Sequence, residues 1–261
     1  IMFTKNRGYS MKLIGLGCSF TEGCPQPYQR DRVWVKYLSD RMDCDYVNIG
    51  RSGAGHDHTS YLLMSLMSDK KYHHRMIKWK DIDNKNRKII IEEDDIVVVQ
   101  LTSDIRHTSI PDESFNLRGE ILDVNIDLTE IVNSEESELN NKILSNFKGS
   151  RAELNDIFYM NYVLDFLENS GWNYFVFHGM DTWLDITTED NVLKVGQKLL
   201  LEKIEKLQNQ NKFAQKTMSN FTDIYGTHHV NGIDDNHPSI QTQEQYANYL
   251  FENYKIFNKG L

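Results

Sequence analysis

Apolar and polar positions along this chain fall into short apolar runs separated by longer stretches with helical spacing. Met11 to Gly17 (MKLIGLG) is an apolar run ending in glycine and predicts a buried strand. Arg32 to Met42 sets Val33, Val35, Tyr37 and Leu38 among charges and predicts a helix. Asp45 to Ile49 (DYVNI) reads as a second strand, and His58 to Ser68 as a Leu- and Met-rich helix. Asp95 to Leu101 (DIVVVQL) has three consecutive valines between polar ends, the pattern of a strand covered on both faces. From Arg151 onward Ile157, Met160, Leu164 and Leu167 recur at helical spacing, and Gly171 ends that helix. Asn173 to His178 (NYFVFH) reads as a fourth strand and Val192 to Phe213 as a helix. Thr242 and Gln245 have capping-box spacing ahead of a final helix that carries Tyr246, Leu250 and Tyr254 on one face.

Strands alternating with helices predict an α/β sandwich around a mainly parallel sheet. In such sheets functional residues gather at the carboxyl ends of the strands. The segments of interest therefore follow Gly17, Ile49, Leu101 and His178, together with the loop ahead of the last helix. The expected organisation is an N-terminal extension over residues 1–10 and one domain over 11–258. Residues 107–150 form an acidic insertion within that domain, read as a solvated loop with short helices. Asp69 to Asp94 is polar and mixed in charge and reads as a solvated linker.

Bulk properties narrow the function classes. The net charge is −9, which disfavours a chain built to bind nucleic acid, because phosphate contacts need clustered Lys and Arg. No apolar run reaches the length that spans a bilayer. The three cysteines, Cys18, Cys24 and Cys44, make no disulfide framework and fit a reducing, cytoplasmic compartment. The adjacent pairs His73–His74 and His228–His229 are poor metal ligands, since sequence neighbours rarely face one ion, and no metal is expected.

Three loops carry residue types that can do chemistry. In Gly17-Cys18-Ser19-Phe20-Thr21 a serine sits at the turn after the first strand. Taken alone, Ser19 reads equally as a nucleophile in need of a base or as a helix cap. In Asp234-Asp235-Asn236-His237-Pro238 a histidine can take and return a proton, and a carboxylate three residues earlier can hold its tautomer. In Asn48-Ile49-Gly50-Arg51-Ser52-Gly53 the Gly53 N–H can face a developing oxyanion, or the glycines can simply serve a tight turn.

The order of these blocks is more specific than any one of them. Strand-G-x-S-x-T, then strand-N-x-G-x-x-G, then D-x-x-H-P before a helix resembles the SGNH, or GDSL, hydrolases from about Met11 to Tyr254. The resemblance implies a flavodoxin-like three-layer α/β/α sandwich with a mainly parallel five-stranded sheet. It implies Ser19 as nucleophile, Asp234 and His237 as its triad partners, and the Ser19 and Gly53 N–H groups as oxyanion donors. It implies ester hydrolysis or acyl transfer without metal or organic cofactor.

Two positions depart from the family pattern. Cys18 stands where aspartate is usual. Where the family's third block usually supplies an asparagine that donates to the oxyanion, the chain reads Thr102-Ser103-Asp104-Ile105-Arg106. Ionised Asp104 cannot donate, so Thr102 or Ser103 is the expected substitute, with Asp104, Arg106 and His178 as substrate contacts. His56 and His58 are either substrate contacts or polar residues at a helix start, and Asp181 and Trp183 follow the fourth strand as candidate substrate wall. The expectation is a serine esterase for a small ester, such as an acetylated carbohydrate. The alternatives are an acyltransferase, a non-catalytic module on the same fold, and a nucleotide binder, the last disfavoured because no G-x-G-x-x-G or Walker pattern follows Asn48. The expected partner is a small-molecule or carbohydrate ester, with no nucleic acid and no membrane; the sequence leaves the oligomeric state open.

Overall fold

A computed structural model describes residues 11–23, 31–50, 54–67, 79–80, 86–87, 89–102, 106–109, 124–127, 150–180, 191–230 and 233–258. In chain order the elements are β1 (Lys12–Leu16), α1 (Ser19–Glu22), α2 (Trp34–Met42), β2 (Asp45–Asn48), α3 (His56–Met67), β3 (Trp79–Lys80), β4 (Asn86–Arg87) and β5 (Ile96–Leu101). They continue with β6 (Arg106–Ser109), β7 (Val124–Asp127), α4 (Ser150–Asn169), β8 (Asn173–His178), α5 (Asn191–Asn209), α6 (Met218–Tyr225), β9 (Thr227–Val230), β10 (Ile233–Pro238) and α7 (Ile240–Asn253).

The central sheet runs β2-β1-β5-β8, with every pairing parallel. Alternation along its strands explains the layers. In β5, Ile96 and Val98 pack into one apolar cluster while Val97, Val99 and Leu101 pack into the other. In β8 the same division sends Phe175 and Phe177 one way and Tyr174 and Val176 the other. Both faces are therefore dry, and helices must cover both. Leu63 of α3, Leu164 of α4 and Leu200 of α5 cover one face. Trp34 and Leu38 of α2, and Tyr246 and Leu250 of α7, cover the other. This is the expected three-layer α/β/α sandwich. No helix among the described residues is long and apolar enough to cross a membrane.

Among the described residues the sheet has four strands rather than the expected five. Beyond β8, where a fifth would lie, there is a single parallel bridge between Val176 and Phe213. It is held by the Val176 N–H donating to Lys212 O and the Ala214 N–H donating to Val176 O, both at 2.9 Å. Pairing is cut short on both sides. Asn211 takes a left-handed conformation before the bridge, and Thr217 caps α6 just after it.

Other boundaries moved for identifiable reasons. The last helix starts earlier than its Thr242 signal, because Ser239 is the true cap and its Oγ accepts from the Thr242 N–H. The segment from 191 stops helical at Asn209. The stretch read as the final loop is β10, paired antiparallel with β9. Within the region read as an acidic loop, β6 and β7 form an antiparallel pair, and β3 and β4 form another within the stretch read as a linker. Residues 1–10, Cys24, and the Lys70–Lys78 stretch with its His73–His74 pair lie outside the described residues.

Close packing of β1 on α2 gives a test. A Cβ built on Gly15 would lie 2.5 Å from Cγ2 of the buried Val35. Gly15→Ala is expected to lower unfolding free energy by about 1–3 kcal/mol, read as a lower denaturant midpoint with an unchanged slope. A variant as stable as the parent would contradict this packing.

Candidate active site

The strand order reverses between β1 and β5, since the chain leaves β1 toward β2 on one side and leaves β5 toward β8 on the other. Ligands of open parallel sheets bind at the carboxyl ends of the strands flanking such a reversal. The register pairs Leu16 with Val99, so the turn that carries Ser19 and the end of β5 that carries Thr102 lie at the same edge of the sheet. It also pairs Gly15 with Asn48 and Leu101 with His178. Four of the sequence-marked segments thus end along one sheet edge.

Ser19 is the first residue of the one-turn helix α1, whose cap is Cys18. The cap reading of Ser19 is therefore overturned. Its Oγ is buried, the residue being 3% exposed, and has no hydrogen-bond partner among the described residues. A buried hydroxyl left without a partner costs stability, and this one contributes nothing to holding the turn.

Side chains from four other elements hold that turn instead. Gln100, the one polar residue inside the apolar run of β5, accepts from Thr21 Oγ1 at 2.6 Å and donates to Cys18 Sγ at 3.2 Å. Trp34 Nε1 in α2 donates to Thr21 Oγ1 at 3.2 Å. Asn48 Nδ2 donates to the Thr21 carbonyl at 2.5 Å while Asn48 Oδ1 accepts from the Gly50 N–H at 3.0 Å. Gln243 of α7 donates to the Phe20 carbonyl at 2.9 Å and accepts from the Trp34 N–H at 2.9 Å. Gly17 adopts a φ of +156° directly against Gln100 and Thr21, where a Cβ would overlap both side chains. The Cys18 that replaces the usual aspartate is fully buried in the core under α1 and α2.

His237 reaches this turn from β10. Its ring packs edge-on against Phe20, the residue after Ser19, with ring centroids 5.7 Å apart. Asp234 lies in the same strand, its backbone paired with His229. The register shifts between Asp234 and Pro238.

At the end of β5, Thr102 is 1% exposed and its Oγ1 has no partner among the described residues. Its N–H donates to His56 Nε2 at 3.1 Å, and His56 Nδ1 lies 2.5 Å from Asp156 Oδ1. His56 does open α3, yet it and His58 are buried rather than solvated. His178 is buried too, packed on the Phe213 ring at 5.0 Å. Burial, and then the neighbouring His56, hold its pKa well below the ordinary 6.5. Gly53, Ser103, Asp104, Asp181 and Trp183 lie outside the described residues, and Arg106 opens β6. Among the described residues no cluster of three His, Cys, Asp or Glu side chains could hold a metal ion.

The sequence pattern marks Asn48 only as a motif position and gives no role to Gln100, Asp156 or Gln243. Two of them carried a signal. Gln100 interrupts an apolar strand, and Asp156 falls on the apolar face of α4, one turn before Met160. Gln100→Leu leaves the Thr21 hydroxyl without its buried acceptor, so it is expected to cost about 1–3 kcal/mol by denaturant unfolding. No change in midpoint would show that the Gln100 contacts are dispensable. For His178 the unfolded chain binds the proton more readily, so its contribution is complete above pH 6.5 and is lost as pH falls below it. His178→Gln is expected to flatten the acid side of the stability profile, and an unaltered profile would contradict the neutral burial of the ring.

No family model matches the chain, and no curated protein sequence matches it. Solved structures do. The esterase EstA from Pseudoalteromonas sp. is 13% identical with a TM-score of 0.44, over 95% of this chain and 99% of that one. The acetylxylan esterase Axe2 from Geobacillus stearothermophilus is 13% identical with a TM-score of 0.43, over 94% of each chain. A protein described as lipolytic and of the G-D-S-L family, from Desulfitobacterium hafniense DCB-2, is 10% identical with a TM-score of 0.42, over 92% and 97%. The solved structures to which this chain is similar thus include G-D-S-L lipolytic proteins and carbohydrate esterases.

Proposed function

We propose that the protein is a serine ester hydrolase with Ser19 as nucleophile, His237 as base and acid, and Asp234 as the carboxylate that orients His237. The observation that carries this reading is the packing of the His237 ring on Phe20, which brings the two ends of the sequence pattern to one turn. The uncommitted Ser19 hydroxyl supports it.

In the reaction, Ser19 Oγ adds to the acyl carbon and its proton passes to His237. The tetrahedral intermediate collapses, the alcohol leaves with that proton, and an acyl-serine remains. Water then adds to the acyl carbon, giving a proton to His237, and the acid departs as Ser19 recovers its proton. Asp234 holds the ring tautomer and stabilises the imidazolium. The Ser19 N–H, at the first position of α1, has no acceptor within the helix and serves the oxyanion together with the Gly53 N–H. Thr102 Oγ1, uncommitted at the adjacent strand end, supplies the side-chain donor that asparagine usually provides. The Thr102 N–H is already taken by His56, so only the hydroxyl of that residue is available. Ser103 is the neighbouring alternative donor, and Asp104 and Arg106 are the candidate substrate contacts that follow it in sequence.

The substrate class is a small acyl ester, with O-acetylated sugars among the compounds to try. Wild-type protein is expected to hydrolyse p-nitrophenyl acetate or an acetylated sugar and to take one fluorophosphonate on Ser19. Ser19→Ala is expected to lose turnover on the order of a thousandfold or more and all labelling. Turnover surviving in Ser19→Ala, or a label on another residue, would overturn the assignment. Thr102→Val is expected to cut kcat on the order of a hundredfold with little change in KM, and an unchanged kcat would remove Thr102 from the oxyanion site.

A further inference from the structure

We propose that His56, oriented by Asp156, is a positioning residue that fixes the Leu101–Thr102 peptide and thereby aims the Thr102 hydroxyl at the oxyanion; this rests on the hydrolase reading above. That peptide is clamped on both edges. The Leu101 carbonyl accepts from the Gly179 N–H at 2.8 Å, and the Thr102 N–H donates to His56 Nε2 at 3.1 Å. With the peptide plane held, the Thr102 Cα and its hydroxyl have little freedom beyond χ1.

The hydrogen bonds dictate where the protons are. Nε2 accepts an N–H, so it carries no proton. The single ring proton then lies between Nδ1 and Asp156 Oδ1, which are 2.5 Å apart. A second proton on Nε2 would point straight at the Thr102 N–H and break the clamp. Asp156 thus selects the one tautomer that can hold Thr102, as outer carboxylates do for histidine ligands of metals. Among the described residues, the titratable group that faces His56 from β8 is His178, whose pKa is held well below 6.5 by burial and then by His56.

The support is rigid. His56 opens α3, and the Ser60 hydroxyl donates to the His56 carbonyl at 2.8 Å. Asp156 lies on α4, whose apolar face is packed into the same core cluster as Leu62, Leu63 and Leu66 of α3. His56 and Asp156 are 0% and 2% exposed. Both ring nitrogens of His56 are engaged, Nε2 by the Thr102 N–H and Nδ1 by Asp156, so its effect passes through Thr102.

The test separates this role from simple support of the fold. In uniformly 15N-labelled wild-type protein, a coupling across the hydrogen bond is expected between the Thr102 amide nitrogen and His56 Nε2. The His56 ring is expected as the Nδ1-protonated tautomer. His56→Leu, which offers no acceptor, is expected to lose kcat about tenfold or more at nearly constant KM, because the displaced group acts only in the transition state. His56→Gln, whose amide oxygen can take the same N–H, is expected to recover most of that loss. An Nε2-protonated ring or an absent coupling in wild type overturns the proposal, and so does a folded His56→Leu that turns over like wild type. If His56→Leu fails to fold, the coupling and the His56→Gln kinetics still decide. If wild-type protein neither cleaves esters nor takes fluorophosphonate, the hydrolase reading fails. The coupling and tautomer then still report whether His56 holds the Thr102 amide.

Discussion

The constraint on which this structure turns is the buried amide of Gln100. A sheet covered on both faces has no room for an unsatisfied polar group, yet Gln100 sits at the fifth of six positions in its most enclosed strand. Both ends of its amide are used, one for Thr21 and one for Cys18. This joins β5 to the turn that follows β1 across the point where the strand order reverses. Gly17 is required there because any side chain would occupy the space the amide fills. Trp34, Asn48 and Gln243 complete the arrangement from three further elements. Phe20 and Thr21, the two residues after Ser19, are tied down by partners on other elements, while the Ser19 hydroxyl itself is left uncommitted.

The second strand end shows the same division of labour. The backbone around Thr102 is held by Gly179 on one edge and by His56 on the other, and its hydroxyl is left over. The two spare hydroxyls follow the carboxyl ends of the adjacent strands β1 and β5. Preorganised donors are effective because their cost is met during folding rather than during reaction. Here that cost is spread over the His56–Asp156 pair, the Gln100 amide and the apolar layers that exclude water from both. Cys18 accepts from Gln100 at the first of these positions, and on the hydrolase reading Thr102 offers its hydroxyl at the second.

Much of the architecture was legible because periodicity reports burial. The strands β1, β2, β5 and β8, and the helices α2, α3, α4 and α7, lie where apolar spacing put them to within a few residues. The fifth strand was an expectation of the family fold rather than of the pattern. Around Phe213 the sequence offers one apolar residue between Lys212 and Ala214, enough for a bridge and too little for a ladder. The β9–β10 hairpin was missed because Asp234-Asp235-Asn236 has the composition of a loop, and its pairing comes from contacts with α1 and α6 that no local signal encodes. In the site, Ser19 and His237 were marked by motif order alone. The residues that hold them were not, because glutamine and asparagine acquire a role only through partners 27 to 223 positions away. Gln100, a polar residue inside an apolar strand, and Asp156, an acid on an apolar helical face, are the exceptions, since each signals a buried partner.

The central claim is that Ser19, His237 and Thr102 converge on one reacting carbon. The most direct measurement is a crystal structure of the protein after reaction with a small fluorophosphonate. The account predicts phosphorus bonded to Ser19 Oγ, His237 within hydrogen-bond reach of the ester oxygens, and the phosphoryl oxygen facing the Ser19 and Gly53 N–H groups and Thr102 Oγ1. Phosphorus on Ser19 with its phosphoryl oxygen turned away from Thr102, and with His237 out of reach, would contradict it.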